Sequence, residues 1–343
     1  LFNFMATILE RAGLIVELFN VIYKFLGGLR GGLAAATIIA STILAAMVGV
    51  IGATEVTMGI IALPAMLVRK YNPEMACGSI LAGGTLGILI PPSINLIVYG
   101  FLTETSIPRL FSAGLVPGLL MALAFIAVTA AICWVRPGLG GPSRGFSWAE
   151  RARSVARSTS LVGIVFTVLG GIYLGVFTPV EAAAIGAFMT LVLTAVRRKL
   201  TWAVLKFCVL ETIKTFAFVY LIVIGAFLFN PFLAVTRIPG ELAAFMATLE
   251  LAPIWILLFI VLGYIILGTF LEGIAMMVLT IPIVYPIIID MGYDPIWFGV
   301  LLVVVLEMSL ISPPLGLNVF VVKGIAEGVP MSEIFMGIIP FWG

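Results

Sequence analysis

The stretch Gly83-Gly84-Thr85-Leu86-Gly87-Ile88-Leu89-Ile90-Pro91-Pro92-Ser93-Ile94-Asn95 constrains this chain more than any other. Its apolar flanks are long enough to lie in lipid, yet glycines and a proline pair interrupt them. Proline has no N–H and collides with the preceding turn, so Pro91-Pro92 frees carbonyls that need another partner. Hydrocarbon offers none, and such backbone persists only where protein or a hydrated cavity receives it. A helix broken at membrane depth therefore points to an ion or solute site.

Composition sets the class around that break. Of 343 residues, 62% are apolar and 10% charged, and the mean hydropathy is +1.26, as in an all-α polytopic membrane protein. The net charge of +2 provides no footprint for nucleic acid. There is no histidine, and Cys77, Cys133 and Cys208 lie far apart without a CxxC pair. That argues against zinc, haem attachment and histidine relays, and leaves the cysteines as small buried side chains. No signal peptide is visible. The chain starts at Leu1 and ends within an apolar stretch beginning near Ile334, as a fragment of a longer subunit would.

Residues 1–26 mix Glu10, Arg11, Glu17 and Lys24 into an apolar background, which suits an interfacial or bracing arm. From Leu33 to Val68 the single charge is Glu55, and Gly49-Val50-Ile51-Gly52-Ala53-Thr54 lies at the centre. Each half spans about 24–27 Å as helix, slightly short of a bilayer. The stretch reads equally as a re-entrant hairpin or as two short spans. A broken helix follows over 73–107 and a span over Leu115–Trp134. Residues 136–157 hold five arginines against one acid, Glu150, and divide the chain. Spans are expected over Leu161–Val176, Ala182–Val196 and 215–235, and a mixed arm over Pro239–Glu250. A second apolar hairpin, 253–289, carries Glu272, and a second broken helix covers about 296–326. Ten of the eighteen Lys and Arg lie in 136–157 and 197–214, which places those stretches in the cytoplasm. Counting crossings from there makes the two hairpins enter from opposite faces.

The second half repeats the first. Tyr71-Asn72-Pro73 is matched by Tyr293-Asp294-Pro295 and Pro91-Pro92 by Pro313-Pro314, all displaced by 222 residues. Asn95 answers to Asn318, Gly100 to Gly324, Phe111 to Phe335 and Pro117 to Pro340, with one or two insertions. Upstream, Glu55 and Pro64 are answered by Glu272 and Pro282. The expectation is an inverted-topology repeat: repeat one over about 1–135 and repeat two over about 158–343, each with one re-entrant helical hairpin and one proline-broken helix.

Three motifs carry a family resemblance across essentially all 343 residues. They are Gly84-Thr85-Leu86-Gly87-Ile88-Leu89-Ile90-Pro91-Pro92-Ser93, Phe177-Thr178-Pro179-Val180-Glu181-Ala182-Ala183-Ala184-Ile185-Gly186-Ala187 and Pro313-Pro314-Leu315-Gly316-Leu317-Asn318-Val319-Phe320. With the short run Ile8–Gly13, they resemble the large, DctM-type (M) membrane subunit of tripartite ATP-independent periplasmic (TRAP) transporters, without a first span or two and a C-terminal span. The resemblance implies an elevator-type fold of the ion-transporter superfamily in the bacterial inner membrane. It implies sodium as the coupling ion, no other cofactor, and import of a small organic acid such as a C4-dicarboxylate. The implied partners are a periplasmic substrate-binding protein (P type) and a small membrane subunit (Q type). The first hairpin tip departs from the usual serine-rich pattern with one hydroxyl, Thr54, nearer to subfamilies for mannitol or chloroaromatic acids. The second tip has Glu272-Gly273 where Asp-Pro is usual.

Within that frame, Thr54, Ser93, Asn95, Thr269 and Asn318 are the expected substrate contacts. Sodium candidates are Gly52, Thr54, Asn95, Gly268, Thr269, Ser312, Gly316 and Asn318, which offer carbonyl, hydroxyl and amide oxygens beside broken backbone. Lone Ser and Thr in membrane helices otherwise bond back to their own turn. Glu55 and Glu272 read first as structural caps complementing a helix dipole, and Thr269–Glu272 has capping-box spacing. The functional alternative is a rare intramembrane acid. Pro91, Pro92, Pro313 and Pro314 shape the site without side-chain contacts. Glu181 reads as a helix cap, and Glu307 as a partner of a neighbouring helix or an ion sensor. Gly83/Gly87, Gly114/Gly118 and Gly171/Gly175 read as helix-packing pairs. Arg197-Arg198-Lys199 reads as a topology signal and lipid-headgroup contact. No catalytic residue is expected. Two rival functions remain: a stand-alone carboxylate–sodium symporter, and an intramembrane enzyme using Glu55 and Glu272 as an acid–base pair.

Overall fold

The computed structural model describes residues 1–49, 51–143, 145–237, 241 and 252–342, and no strand occurs among them. The mixed arm expected over Pro239–Glu250 lies outside the described residues, apart from Glu241. The 1–26 arm forms two helices, α1 (Phe2–Arg11) and α2 (Leu14–Leu26), parted at Gly13, whose φ of +68° favours glycine. The first hairpin is α3 (Gly32–Val48) and α4 (Ile51–Leu67), turned at Gly49. Each limb has 17 residues, about 26 Å, against about 30 Å of hydrocarbon.

The first broken helix is α5 (Pro73–Thr85), a 3-10 turn Leu86–Ile88 and α6 (Ile94–Thr103). Asn72 caps α5, its Oδ1 accepting from Glu74 N at 2.7 Å with Pro73 following. Next come α7 (Ile107–Val135), α8 (Trp148–Tyr173), α9 (Pro179–Val196) and α10 (Trp202–Thr236). The second hairpin is α11 (Pro253–Gly268) and α12 (Gly273–Asp290). The second broken helix is α13 (Pro295–Leu310) and α14 (Leu317–Ile325), and α15 (Met331–Trp342) ends the described chain. Asp294 caps α13 as Asn72 caps α5, with Oδ1 accepting from Trp297 N at 2.8 Å.

Among the described residues, α7, α9, α12 and the Trp202–Gly225 part of α10 are long and apolar enough to cross a membrane. The protein is an all-helical, multi-pass membrane protein. The divider expected as a loop over 136–157 is shorter than that. Helix α8 already begins at Trp148, because Ser147 and Glu150 form a reciprocal capping box that starts it inside the basic stretch. Thr178 and Glu181 do the same for α9.

Packing separates an inner group from an outer one. The hairpins, broken helices, α7 and α15 pack together, and their pairings are reciprocal. Helix α5 lies on α15 and α7 on α13, while α4 lies on α14 and α6 on α12. At α5–α15 the backbones touch: a Cβ at Gly78 would overlap the Gly337 carbonyl, and one at Gly337 the Glu74 carbonyl. Tyr99 of α6 donates its hydroxyl to Pro295 O at 2.6 Å, and Gly299 of α13 leaves room for its ring.

The arm joins the groups, since α1 packs on α9 and α10 while α1 and α2 both pack on α3. Basic residues pin it. Arg197 pairs with Glu17 at 2.5 Å, Lys199 donates to Ala12 O at 2.7 Å, and Lys24 donates to Ser154 Oγ at 2.5 Å. Arg197 and Lys199 thus hold protein partners. Of the glycine pairs, Gly83 lets α5 approach Ser41 and Ile38 of α3, and Gly114 and Gly118 seat α7 on Leu89 and Ile90 of the first break. Gly171/Gly175 is not a helix-packing pair. Gly171 makes room for the Phe177 ring of its own loop, and Gly175, at φ +70°, closes the end of α8 in open space.

The backbone contact at α5–α15 generates a prediction. Gly337→Val should cost about 1–3 kcal/mol of overpacking and lower the thermal unfolding midpoint of the purified protein. Gly263→Val, where nothing lies within 4 Å of the added Cβ, should leave it near wild type.

Candidate functional site

Each break is closed by local chemistry before it meets anything else. At the first, Ser93 adopts an extended conformation and caps α6, its Oγ accepting from Leu96 N at 3.2 Å. The same hydroxyl donates to Ile88 O, so one serine bridges the gap left by the Pro91-Pro92 interruption. The hairpin tip then seats on this break. Gly49, at φ +68°, comes so near the Pro92 carbonyl that a Cβ would overlap it, and Gly49 O accepts from Ile94 N at 3.5 Å. Both proline–proline bonds, Pro91-Pro92 and Pro313-Pro314, are cis. The first pair is buried and the second exposed.

At the second break, Ser312 Oγ donates to Met308 O at 2.5 Å and accepts from Trp342 Nε1. Gly316, at φ +56°, precedes α14 without any side-chain cap. The second hairpin tip seats on the end of α13, where a Cβ on Gly268 would strike Ser309. The capping box expected between Thr269 and Glu272 does not form. Thr269 instead ends α11, its Oγ1 donating back to Ile266 O at 2.8 Å. Glu272 is itself the N-cap of α12, with Oε2 accepting from Ile274 N at 2.9 Å and Ala275 N at 3.1 Å.

Four elements converge on one cavity of about 280 Å³. Gly49, Ile51 and Gly52 come from the first tip, and Ile88, Ile94 and Asn95 from the first break. Glu272 and Ile274 come from the second tip, and Leu310, Leu317, Asn318 and Val321 from the second broken helix. Phe218 of α10 completes the wall. Gly52, Asn95, Glu272 and Asn318 were expected here from sequence. Thr54, Ser93, Gly268, Thr269, Ser312 and Gly316 are not among the lining residues. They lie at the tips and breaks, where Ser93, Thr269 and Ser312 are engaged with backbone. Asn95 packs against Gly273, whose added Cβ would stand 3.1 Å from Asn95 Nδ2. Asn318 Nδ2 is buried and has no hydrogen-bond partner among the described residues.

Sequence reasoning missed Phe218, because a phenylalanine in a long apolar helix carries no signal of what it faces. The capping reading of Glu55 needs correction. Helix α4 starts at Ile51, so Glu55 lies past its first turn, fully buried against Gly84, and neither carboxylate oxygen has a hydrogen-bond partner among the described residues. Glu307 is in the same condition within α13, with no hydrogen-bond partner among the described residues.

The architecture is that of a polytopic membrane transporter. The crystal structure of the Alcanivorax borkumensis YdaH transporter matches it with a TM-score of 0.62 at 13% identity, covering 99% of this chain and 80% of that one, which speaks for the fold alone. The family is set by sequence. The model of the tripartite ATP-independent periplasmic transporter DctM component matches residues 1–343, and the chain belongs to that family. It is 37% identical to the C4-dicarboxylate TRAP transporter large permease protein DctM of Pseudomonas aeruginosa over 92% of this chain and 73% of that protein. It is 36% identical to the isethionate TRAP transporter permease protein DctMQ of Oleidesulfovibrio alaskensis over 92% of this chain and 50% of that one. The chain is therefore a transporter permease and not an enzyme. It is one component of a tripartite bacterial inner-membrane system with a small membrane subunit and a periplasmic binding protein.

Glu272 shapes the cavity wall as a cap. Glu272→Ala should lower the unfolding midpoint by the loss of about 1 kcal/mol typical of a removed N-cap. Glu272→Asp, a preferred cap residue, should recover most of that loss; equal midpoints for the two variants would contradict the capping role.

Proposed function

We propose that this chain is the substrate-carrying permease of a sodium-coupled importer for a small organic acid. The observation that carries this reading is the convergence of two hairpin tips and two helix breaks on one cavity. Breaks of this kind supply both of the groups a symporter needs, carbonyls for a cation and helix N-termini for an anion. C4-dicarboxylate and isethionate, named for the two relatives, are both small organic anions.

The finer architecture proposed is an inverted repeat, 1–135 and 158–343, with 136–157 as cytoplasmic divider and with hairpins 33–68 and 253–289 re-entrant. Its support is the reciprocal pairing of α5–α15 with α7–α13 and of α4–α14 with α6–α12, since a pseudo-two-fold axis exchanges corresponding elements. The 17-residue limbs of the first hairpin are shorter than the hydrocarbon thickness, which suits a re-entrant hairpin. Movement is proposed to be elevator-like, the inner group carrying substrate past α8, α9 and α10 with the arm as the moving joint.

Sodium would be held at two related places. Gly52, Thr54 and Asn95 belong to the first, and Gly268, Thr269, Ser312, Gly316 and Asn318 to the second. The donor set fits a hard cation, because it contains only carbonyl, hydroxyl and amide oxygens. Thr269 spends its proton on Ile266 O, which leaves the hydroxyl lone pairs for a cation. Asn95 and Asn318 are the residues proposed to touch substrate, and Thr54, Ser93 and Thr269 support them from behind the lining.

Reconstituted with the small subunit and the binding protein in proteoliposomes, uptake should require an inward sodium gradient and a loaded binding protein. A proton gradient that drives uptake equally well in sodium-free buffer would overturn the ion assignment. Asn95→Ala and Asn318→Ala should abolish uptake while the complex still elutes as an assembled particle. Unaltered uptake would remove those residues from the site.

A further inference from the structure

We propose that the cavity is built for a monocarboxylate with an apolar body, its carboxylate at the N-terminus of α14 beside Asn318 Nδ2. The inference rests on the reading of the cavity as the substrate site and narrows the class of acid it takes.

The three helix N-termini at the cavity with described caps differ in what occupies them. The Ser93 hydroxyl fills the start of α6, with Gly49 O taking the Ile94 N–H. The Glu272 carboxylate fills the start of α12 and brings a negative charge to the cavity edge. The start of α14, a helix of 9 residues, has no side-chain cap. Val319 N donates to Gly316 O at 2.8 Å, which leaves the Leu317 and Asn318 N–H groups and the positive end of the dipole for an anion. Asn318 supplies the second, independent observation. It lines the cavity, is 6% exposed, and its Nδ2 is a buried donor without an acceptor among the described residues. A buried donor left unmade carries a penalty that an incoming carboxylate oxygen would remove.

The rest of the wall limits the acid to one charge. Among the described residues no Lys or Arg lines the cavity, and Ile51, Ile88, Ile94, Ile274, Leu310 and Phe218 present hydrocarbon. A second carboxylate or a set of sugar hydroxyls would lose its water there without new partners. Near Glu272, a second carboxylate would also meet a like charge. The volume of about 280 Å³ suits a small ligand, being just below the roughly 300–1,000 Å³ of typical ligand pockets. A branched aliphatic monocarboxylate satisfies each of these conditions.

The test is a titration of the large and small subunits together in nanodiscs at saturating sodium chloride, reading the thermal unfolding midpoint. The probes are 4-methyl-2-oxopentanoate, succinate and N-acetylneuraminate. The branched acid should bind at least about tenfold more tightly than the other two. Asn318→Ala should weaken it at least about tenfold, the loss expected for a hydrogen bond to a charged group. The wild-type ranking needs no variant, so the inference stays testable if Asn318→Ala fails to assemble. Succinate or N-acetylneuraminate binding as tightly, no shift with any of the three, or unchanged affinity in an assembled Asn318→Ala complex would each overturn it. Sodium-driven, binding-protein-dependent uptake of any organic acid would leave the wider function standing in those cases. Its absence would remove that as well.

Discussion

Backbone groups inside a bilayer must be satisfied without water, and that requirement organises this structure. Most of the described departures from regular helix in the inner group are answered locally. Ser93 spans the first gap, Ser312 turns back to Met308, Thr269 to Ile266, and Glu272 takes two amides at the start of α12. Gly49 adds a tertiary answer, because its carbonyl meets an amide of the first break. The one helix start at the cavity whose described cap position offers no side chain, that of α14, also carries Asn318, a lining residue whose buried Nδ2 has no partner among the described residues.

The outer part follows a different logic. Long apolar helices such as α9 and α10 satisfy their own backbone and expose much of their surface. What they need is a defined relation to the inner group, and the arm supplies it. Glu17, set between Arg197 and Lys199, and Lys24, set against Ser154, tie α2 to the outer helices while α1 and α2 pack on α3. Partly exposed ion pairs of this kind are individually weak. They add to an apolar interface, because Met5, Ile8, Leu9, Leu14, Ile15 and Leu18 of the arm are buried.

Much of the fold was legible in the sequence, and for definable reasons. The breaks were visible because proline and glycine act through the backbone, whatever surrounds them. The hairpins were visible because their limbs are short and apolar, and the starts of α5 and α13 because Asn72-Pro73 and Asp294-Pro295 carry the same cap chemistry. Local signals were misweighed where two caps competed. Thr269 and Glu272 have capping-box spacing, but α12 starts only after Glu272, so the same two residues serve as the end of one helix and the start of the next. The pattern Ser147-Trp148-Ala149-Glu150 has that spacing too, and there the box forms and carves α8 out of the expected loop.

The sequence by itself determined the class of the protein, the places where helices break, and the residue types available there. Those are consequences of single-residue chemistry and of period along one chain. Only the tertiary structure decided which of those residues share a cavity. Asn95 and Asn318 meet Glu272 and Phe218 there because elements up to 223 positions apart are brought together. Partnership over that distance leaves no mark on local composition. The same holds for Glu55, whose place in the chain suggested a cap and whose place in the fold is a dry contact with Gly84.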